Sequence, residues 1–517
     1  MNCFEEVHPR RSFSLALTLG VLPLLGFWLY GLFDLDEGYY GAVVAEMNRR
    51  GEWITPYFNG KPWFEKPILL YWFAKPSVSL FGEAIGPRLP SVLATMGLLA
   101  MCGFYLRKRA TPQAGLWVMA MLGTSLIVIA IGRMMITDAL LDLCVCGAFL
   151  SFYESLVGKR AWRLLTAFCL GLAVLAKGPV SLPLFLAVAI WTYLSESDLR
   201  SSFNDSMPIN KASDRKPISN FLFPISSVRW WLLGIVILAA TVCMWYVPAY
   251  LENGHVFVQK FFVEQNLQRF GGGDEAHKVP LLLWPIYYPA ILFAGLLPWS
   301  IWLPKQWRAA FKPDADPFAR YLARWAAVVL VFFTISGTKL PHYILPAVPP
   351  LIMIAALDRA KTQPAAWRLW GALSVVFCLL ANGVFVFWYQ KSGFAEVHGD
   401  AKLINQMVKG RGTVLTYQLA RVANAKGLSL NDTSNPSLGF YLDQNRLTFT
   451  DTSNMQELKA DLVGASGDVF VLTRPARLSP SDLISLSKNG FSLQEQEPLS
   501  TSPKYLLFRV SRGPSSS

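Results

Sequence analysis

Residues 11–37 read RSFSLALTLGVLPLLGFWLYGLFDLDE, an apolar run that follows two arginines and ends in acidic residues. Its apolar part, roughly Phe13 to Phe33, has about the 20 residues that a helix needs to cross a bilayer. It exceeds the apolar core of a signal peptide, which has about 7–15 residues, and no small-residue cleavage site follows it. The stretch therefore predicts a retained membrane helix, with the basic N-terminus on the cytoplasmic side.

Similar apolar blocks recur along the chain. The 517 residues are 53% hydrophobic and 16% charged, whereas a soluble domain has about 25% charged residues. Because a backbone in hydrocarbon must satisfy its own hydrogen bonds, these blocks should be helices, about eleven in all. The further spans are placed near residues 88–106, 114–131, 137–157, 161–176, 179–195, 230–250, 281–303, 319–336, 343–357 and 369–389.

The charges lie mainly between these blocks. The formal net charge is +13, but the lysines and arginines form short clusters rather than one stripe, which argues against nucleic-acid binding. Basic connections such as 196–229 and 304–318 are predicted to be cytoplasmic. Residues 34–87 and 251–280 then lie outside, as does the C-terminal tail. The seven scattered cysteines are interpreted as small buried apolar residues.

Residues 390–517 differ from the preceding part of the chain in their sequence pattern. Strand-like runs such as Gly412–Tyr417, Arg446–Thr450, Asp468–Leu472 and Tyr505–Val510 alternate with helix-like stretches, among them Met455–Leu462. Alternating strands and helices predict a small α/β domain. The fold class predicted is thus an all-α polytopic membrane domain, residues 1–389, followed by a periplasmic α/β domain, residues 390–517.

The first external loop, residues 34–87, carries the most information. Gly41–Arg50 has helical character, and Ile68–Leu80 is amphipathic and rich in aromatic residues. Such segments lie in the membrane interface rather than crossing it. They are predicted to form a roof over the helix bundle, where a lipid and a polar molecule can meet.

Asp36 and Glu37 follow the first apolar block directly. An acidic pair at a membrane boundary can act as a general base or bind a metal. The pair by itself favours a simpler interpretation, in which Asp34, Asp36 and Glu37 only end the helix and face water.

Lys66 and Glu65 lie further along the same loop. Lys66 can hold a phosphate as a point charge, and Glu65 can bind a metal or orient Lys66. The alternative is a surface ion pair, which contributes little.

Further ionisable residues fall in the other predicted external segments. Snorkelling to the interface is an alternative for Lys177. However, these ionisable residues are all predicted on the external side of the membrane, which favours a site for a lipid-linked phosphate. They are Arg133, Asp138, Lys177, His255, Glu264, Arg269, His277, Lys339 and His342.

These motifs resemble the GT-C-fold glycosyltransferases that use lipid-linked sugars, and most of all the bacterial branch of aminoarabinose transferases and protein-mannosyltransferase-like enzymes. The similarity covers roughly residues 30–350. The matching motifs, in order, are Asp36-Glu37-x-x-Tyr40, Gly51–Pro56, Asn59-Gly60, Phe64–Pro67, Arg88–Ser91, Thr137-Asp138, Lys177–Pro179, Phe262-x-Glu264, Arg269-Phe270, His277-x-x-Pro280, Pro298-Trp299 and Lys339–Tyr343.

The resemblance implies transfer of a sugar from polyprenyl (undecaprenyl) phosphate at the periplasmic face of a bacterial inner membrane. The acceptor left open is lipid A, another glycan or a protein. Asp36 matches the catalytic position, with Glu37 beside it. The implied roles of the other residues are donor phosphate binding by Lys66, Arg269, Lys339 and Tyr343, divalent metal binding by Glu65, Glu264 and His277, and further site positions at Arg133, Asp138, Lys177 and His342.

The chain departs from the aminoarabinose transferases at Gln265, where those enzymes have a metal-binding histidine. His255 or His277 is an alternative ligand. A second function class, a transporter or flippase of a lipid-linked sugar, predicts ionisable residues deep in the spans and paired broken helices. The charges of this chain instead concentrate in the external loops and no internal repeat is evident, which favours the enzyme.

Overall fold

The computed structural model describes most of the chain as two compact units. The first unit comprises Met1–Phe27, Phe64–Leu70 and Arg88–Asn382, and the second Trp28–Trp63, Tyr71–Pro87 and Gly383–Ser517. The domain boundary after residue 389 stays a prediction. The residues described are 9–34, 36–58, 60–158, 160–195, 225–268, 279–312, 314–408, 412–418, 436–442, 450–452, 454–475, 477–496 and 505–512.

The first unit is built from helices. Its α-helices are Pro9–Val21, Leu89–Arg109, Pro112–Gly123, Leu126–Gly132, Thr137–Val157, Trp162–Lys177, Ser181–Leu194, Ile225–Phe257, Trp284–Gly295, Leu303–Ala310, Pro317–Ile335, Val348–Thr362 and most of Trp367–Lys391. A π-helix, Val258–Gln268, continues the long helix that starts at Ile225. Short 3-10 turns lie at Leu22–Leu24, Leu281–Leu283, Trp299–Ile301 and Pro341–Ala347.

Several of these helices have the length and composition of membrane spans. Within the described ranges six qualify, and the count becomes seven if one bent pair is a single span. The predicted class, a mostly helical polytopic membrane protein with a small C-terminal sheet domain, is therefore confirmed, and the count of about eleven spans stays a prediction. The six are Leu89–Arg109, Thr137–Val157, Val228–Asn266, Pro317–Ile335, Pro341–Thr362 and Trp367–Lys391.

The first apolar block is helical for only half of its predicted length. Its α-helix ends at Val21 and a 3-10 turn ends at Leu24, so the prediction of a helix to Phe33 is wrong. Pro23 has no N–H to continue the helical ladder, and Gly26 takes a left-handed conformation, with φ of +84°.

Buried arginines complete the hydrogen bonding of this unwound segment. Arg133 donates to the Pro23 carbonyl (3.1 Å) and to Asn382 Oδ1 (2.6 Å), while Arg88 donates to the Phe27 carbonyl (2.9 Å). Carbonyls without partners are costly inside a membrane protein. Arg133, one of the predicted site residues, therefore has a structural role in the bundle.

Two other predicted spans are broken. The block at 114–131 forms two helices bent by 66°, where the hydroxyls of Thr124 and Ser125 donate to carbonyls one turn back. The block at 281–303 stops being α-helical after Gly295, and Pro298, which lacks an N–H, precedes the next turn. Continuous helices over these two blocks were wrong predictions.

The second unit contains the predicted α/β domain. The strands are β1 (Tyr57–Phe58) and β2 (Lys61–Pro62) of a separate hairpin, then β3 (Gly412–Tyr417), β4 (Thr450–Thr452), β5 (Asp468–Thr473), β6 (Phe491–Glu495) and β7 (Leu506–Arg512). Strands β3, β4 and β5 are parallel, and β7 pairs antiparallel with both β5 and β6. The order across the sheet is β4-β3-β5-β7-β6.

Helices cover both faces of this sheet. Helix Phe394–Val408 packs with one face, where Val414 and Leu472 are buried. Helices Met455–Gly464 and Pro480–Lys488 pack with the other face, where Val471 is buried. This alternation along the strands has the period of two that a doubly covered sheet requires. Strand β6 was not predicted. The strand predicted at 446–450 is described only from Thr450 onward.

The segment that follows the unwound stretch, from Leu32 to Asp34, is anchored to the C-terminal part of the chain within this unit. Leu32 packs in the same core as Leu438, and its N–H donates to the hydroxyl of Tyr441 (2.6 Å). The N–H of Ser437 donates to Asp34 Oδ1 at 2.7 Å. Hydrogen bonds to an ionised carboxylate are roughly twice as strong as neutral ones, so these contacts hold the chain just before Asp36.

Candidate functional site

The first unit contains a cavity of about 440 Å³ that we call the lysine cavity. Ligand pockets in proteins typically have about 300–1,000 Å³. Its walls come from the end of the first loop, the corner after helix Trp162–Lys177, the π-helix and the segment before Tyr343. The described lining residues are Glu65, Lys66, Pro67, Lys177, Pro179, Val180, Pro183, Phe261, Gln265, Asn266, Phe332, Phe333, Ser336, Thr338 and Tyr343.

Lys177 and Asp138 form a buried ion pair at this cavity. Lys177 Nζ contacts Asp138 Oδ1, and their side chains are 12% and 2% exposed. His342 Nε2 lies 3.8 Å from the other carboxylate oxygen. The ammonium also lies over the ring of Tyr343, 4.2 Å from its centroid. Sequence analysis predicted that Asp138, Lys177, His342 and Tyr343 lie on the external side of the membrane. The structure brings them together, so snorkelling of Lys177 to the interface is excluded.

Gly178 makes the corner that places Lys177. It adopts φ of +80°, and a Cβ built there would lie 2.9 Å from Asn266 Oδ1. A side chain would be strained by the left-handed backbone and crowded by that amide. Asn266 in turn donates to the Phe261 carbonyl (2.6 Å). The corner and the π-helix therefore approach closely because residue 178 has no side chain.

Lys66 contributes the second cation of the lining. It lines the same cavity as Lys177, and its charge acts on Asp138, as the charge of Lys177 does. Phe64, which is 2% exposed, packs edge-on against Phe257 with ring centroids 5.0 Å apart. This contact anchors the segment that carries Glu65 and Lys66.

Lys339 lies near this region but is absent from the described lining of the cavity. Its ammonium donates to the Ser336 carbonyl and lies 3.7 Å from the ring centroid of Trp284. Burial lowers the pKa of Lys339 from its usual range. These contacts favour a role in holding the turn between Ser336 and Tyr343, both of which do line the cavity.

The predicted metal ligands do not assemble into a site in the described part of the chain. Glu264 pairs with Lys260 at 2.9 Å on an exposed helix face, and Glu65 lines the lysine cavity. A search of the described residues finds no group of three or more His, Cys, Asp or Glu side chains that would hold a metal. Arg269 and His277 lie outside the described residues. We therefore derive no step that uses a metal.

Asp36 and Glu37 belong to the second unit, where they begin the helix Asp36–Arg50. Glu37 is fully buried, and its Oε2 accepts the N–H of Phe33 (3.1 Å). Asp36 is partly exposed and accepts a hydrogen bond from the Tyr40 hydroxyl (3.3 Å). The interpretation that the pair ends a helix and faces water is thus wrong. Glu37 stabilises the helix start, and Asp36 is the more accessible carboxylate.

Gln265, Asn266, Ser336 and Thr338 all border the lysine cavity. Sequence analysis noted Gln265 only as the replacement of a metal ligand and missed the other three neutral polar residues. The signal in the sequence was that they lie beside two motifs noted for charged residues. Amides and hydroxyls in a cavity wall are typical of sites that orient a polar ligand.

Comparisons with known proteins find similar membrane transferases. The family profile described as dolichyl-phosphate-mannose-protein mannosyltransferase matches residues 65–212. A curated protein of Aeromonas hydrophila, undecaprenyl phosphate-alpha-4-amino-4-deoxy-L-arabinose arabinosyl transferase, is 28% identical over 80% of this chain and 75% of its own length. Its counterpart from Yersinia enterocolitica is 31% identical over 71% of this chain, although the match spans only 64% of that protein.

A solved structure resembles the whole fold. The crystal structure of ArnT from Cupriavidus metallidurans bound to undecaprenyl phosphate matches with a TM-score of 0.67, at 19% identity, over 96% of this chain and 97% of that one. The fold is therefore that of a GT-C membrane protein with a C-terminal α/β domain. In sequence and in fold, the chain is therefore similar to GT-C proteins that include the bacterial aminoarabinose transferases.

Proposed function

We propose that this protein is a membrane glycosyltransferase that takes a sugar from a polyprenyl phosphate, in particular undecaprenyl phosphate. The acceptor is lipid A, another glycan or a protein. The observation that carries the proposal is the lysine cavity, where Lys66 and Lys177 share a lining with aromatic and proline side chains. The names of the sequence relatives, which specify undecaprenyl phosphate and a transferase, support it.

The lining suits both parts of a lipid phosphate. An ammonium is a compact charge that binds phosphate oxygens well, and both Lys66 and Lys177 line the cavity. Phe261, Phe332 and Phe333 supply apolar surface in the same lining. Burial of apolar surface is favourable by about 25 cal/mol per Å². Packing of the first isoprene units against these rings therefore stabilises binding of the lipid, while the lysines bind the phosphate.

The proposed reaction is a single displacement at the anomeric carbon of the sugar. The polyprenyl phosphate leaves, and Lys66 and Lys177 stabilise its negative charge. Arg269 remains a proposed contributor, as the resemblance implies, and Lys339 and Tyr343 border the same turn. If the acceptor is a hydroxyl, Asp36 acts as general base. If the acceptor is an ionised phosphate, Asp36 only positions groups.

Removal of the Lys66 ammonium should weaken donor binding. A hydrogen bond to a charged group contributes about 1.5–3 kcal/mol, so Lys66→Ala should raise the Kd for undecaprenyl phosphate by about 10- to 100-fold. Binding is measured with purified protein in nanodiscs. Lys61→Ala, which removes an exposed lysine from the same loop, is the matched control and should change the Kd less than about twofold. Equal effects of the two variants would contradict the assignment of Lys66.

We also propose an orientation in the bacterial inner membrane. The positive-inside pattern places the N-terminus in the cytoplasm and the C-terminal domain in the periplasm. Single cysteines introduced in the predicted external loop, residues 251–280, and at Thr450 should therefore react with a membrane-impermeant thiol reagent added to the periplasmic side. Protection of both positions until the cytoplasmic side is opened would overturn this orientation.

A further inference from the structure

We propose that residues 301–312, which we call the basic segment, bind the headgroup of an anionic phospholipid of the membrane. The basic segment includes helix Leu303–Ala310 and precedes the candidate span Pro317–Ile335. It lies outside the described lining of the lysine cavity. The inference therefore concerns a second surface of the first unit and does not rest on the proposed function.

The basic segment lies at the end of the helix bundle opposite to the lysine cavity. Helix Pro317–Ile335 starts shortly after the segment and ends next to Ser336, which lines the cavity. This helix has 19 residues and is therefore about 28 Å long, close to the thickness of a hydrocarbon core. The basic segment and the cavity are thus expected near opposite boundaries of the membrane.

Exposed apolar side chains indicate that the basic segment lies in the membrane interface. Ile301, Trp302 and Phe311 are all exposed. Phe311 stacks on Trp191, with ring centroids 6.2 Å apart, near the end of the apolar helix Ser181–Leu194. Tryptophans gather at membrane interfaces, and short helices with apolar and charged sides lie in the interface plane.

Three cations lie on one face of the same segment. Helix Leu303–Ala310 carries Lys305 and Arg308, and Lys312 follows its end. Spacings of three and four residues put these side chains on the same helix face, and all three are exposed. Within the described part of the chain none of them forms an ion pair. The face therefore presents positive charge outward.

The nearby carboxylates have other roles or lie beyond this face. Asp316 Oδ1 accepts a backbone N–H at the start of the next helix (3.1 Å). Asp358 Oδ2 accepts from Gln306 Nε2 at 2.8 Å. Asp314 is exposed on the connection that follows the segment. The cations of the basic segment thus exceed the carboxylates available to neutralise them.

An anionic phospholipid matches both the charge and the apolar surface. Its phosphate accepts charge-assisted hydrogen bonds from lysine and arginine, and its acyl chains cover exposed side chains such as Ile301 and Phe311. Arg359, which lies 4.3 Å from the ring centroid of Trp302, adds a further cation beside the segment. A zwitterionic lipid carries an ammonium that these cations repel, and a nucleic acid would leave the apolar side chains uncovered.

Photo-crosslinking in nanodiscs reports which lipid lies against the basic segment. The full-length protein is reconstituted in phosphatidylcholine with a trace of either phosphatidylglycerol or phosphatidylcholine that carries a diazirine near its headgroup. Crosslinked peptides are mapped by mass spectrometry. Because each cation near an anionic lipid contributes about a fivefold preference, residues 301–312 should be labelled by phosphatidylglycerol at least about fivefold more than by phosphatidylcholine. Equal labelling by the two lipids, or labelling by neither, would overturn the inference.

The triple variant Lys305→Gln/Arg308→Gln/Lys312→Gln connects this preference to the three cations. Its labelling ratio should fall to within about twofold of one, because the attraction of each cation for the anionic lipid is lost. Labelling by phosphatidylcholine should persist, since it depends on the exposed apolar side chains, and this shows that the segment still meets the membrane. A native ratio in this variant would refute the assignment.

The control variant removes the same charge elsewhere. Lys61→Gln/Lys402→Gln/Lys488→Gln changes three exposed lysines of the second unit and should keep the native labelling ratio at residues 301–312. An equal fall of the ratio in the two triple variants would mean that net charge, rather than the basic segment, recruits the lipid, and would also overturn the inference.

Discussion

Membranes that contain Asp36→Asn are expected to lose sugar transfer from undecaprenyl-phosphate donors, while the protein still inserts and folds. Asparagine has nearly the same shape as aspartate but cannot accept a proton. General-base catalysis contributes about 10²- to 10⁴-fold to a rate, so a loss in that range follows if the acceptor is a hydroxyl. Transfer of label from the donor to membrane acceptors is the measurement.

The surroundings of Asp36 make this substitution a clean one. The Asp36 carboxylate accepts a hydrogen bond from the Tyr40 hydroxyl, 3.3 Å away. The amide oxygen of asparagine can accept the same hydrogen bond. The adjacent Glu37 is fully buried and accepts the Phe33 N–H, so Glu37→Gln disturbs a helix start. A loss of activity in Glu37→Gln would therefore report on folding, whereas in Asp36→Asn it reports on chemistry.

Glu52→Gln is the control for loss of a negative charge in the same loop. Glu52 lies on the turn after helix Asp36–Arg50, and its backbone carbonyl, rather than its carboxylate, accepts from Lys75 Nζ. Glu52 is half-buried, and the backbone carbonyl that Lys75 uses is kept in the variant. Activity should therefore stay within about twofold of the native protein, since substitutions that break no such contact usually cost less than about 0.5 kcal/mol. Full transfer by Asp36→Asn would eliminate Asp36 from the mechanism.

Lys177→Met should produce the largest loss of stability among single substitutions at the lysine cavity. The variant removes the shorter ion pair of Asp138, 2% exposed, and leaves His342 at 3.8 Å as the remaining ion-pair partner. Breaking a buried pair by removal of one partner costs about 3–5 kcal/mol when the remaining charge is uncompensated, so a loss toward the lower end of that range is expected. Thermal unfolding of the purified protein in detergent should show a marked fall in Tm, together with weaker donor binding.

The double variant Lys177→Met/Asp138→Asn separates the ion pair from simple packing. Neutralising both partners removes the uncompensated charge, so the double variant should recover most of the stability that Lys177→Met loses. Lys260→Met is the matched control, since Lys260 pairs with Glu264 on an exposed helix face and such pairs contribute about 0–1 kcal/mol. A double variant no more stable than Lys177→Met would show that packing, not charge, is responsible.

The class of fold was predictable because the membrane imposes a strong physical rule. Backbone groups in hydrocarbon must be paired internally, so blocks of about 20 apolar residues become helices. The interruptions inside those blocks were harder to predict. Thr124 and Ser125 break one block through hydroxyl bonds to carbonyls of the preceding turn, yet the same residue types also occur in unbroken helices. The unwound segment at Pro23 is tolerated because Arg133 and Arg88 are nearby in space.

The members of the candidate site were predictable to the extent that ionisable residues are rare beside apolar blocks. An unpaired charge is expensive there, so Lys66, Asp138 and Lys177 were conspicuous. Neutral side chains such as Gln265 carry no such cost and gave no comparable signal. The distinction between Asp36 and Glu37 was also invisible, because it depends on which carboxylate turns inward to the Phe33 N–H.

By itself, then, the sequence determined a many-helix membrane protein with a C-terminal α/β domain, and it determined which ionisable residues to examine. Only the tertiary structure decided which of them meet. Lys177 and Asp138 are 39 positions apart, and His342 comes from a far later segment of the chain. Hydropathy is a property of neighbouring residues, whereas these contacts depend on how separate helices pack. A buried charge is costly without an opposite charge beside it. Residues that are distant in the sequence therefore come together, and they form one cavity with two lysines.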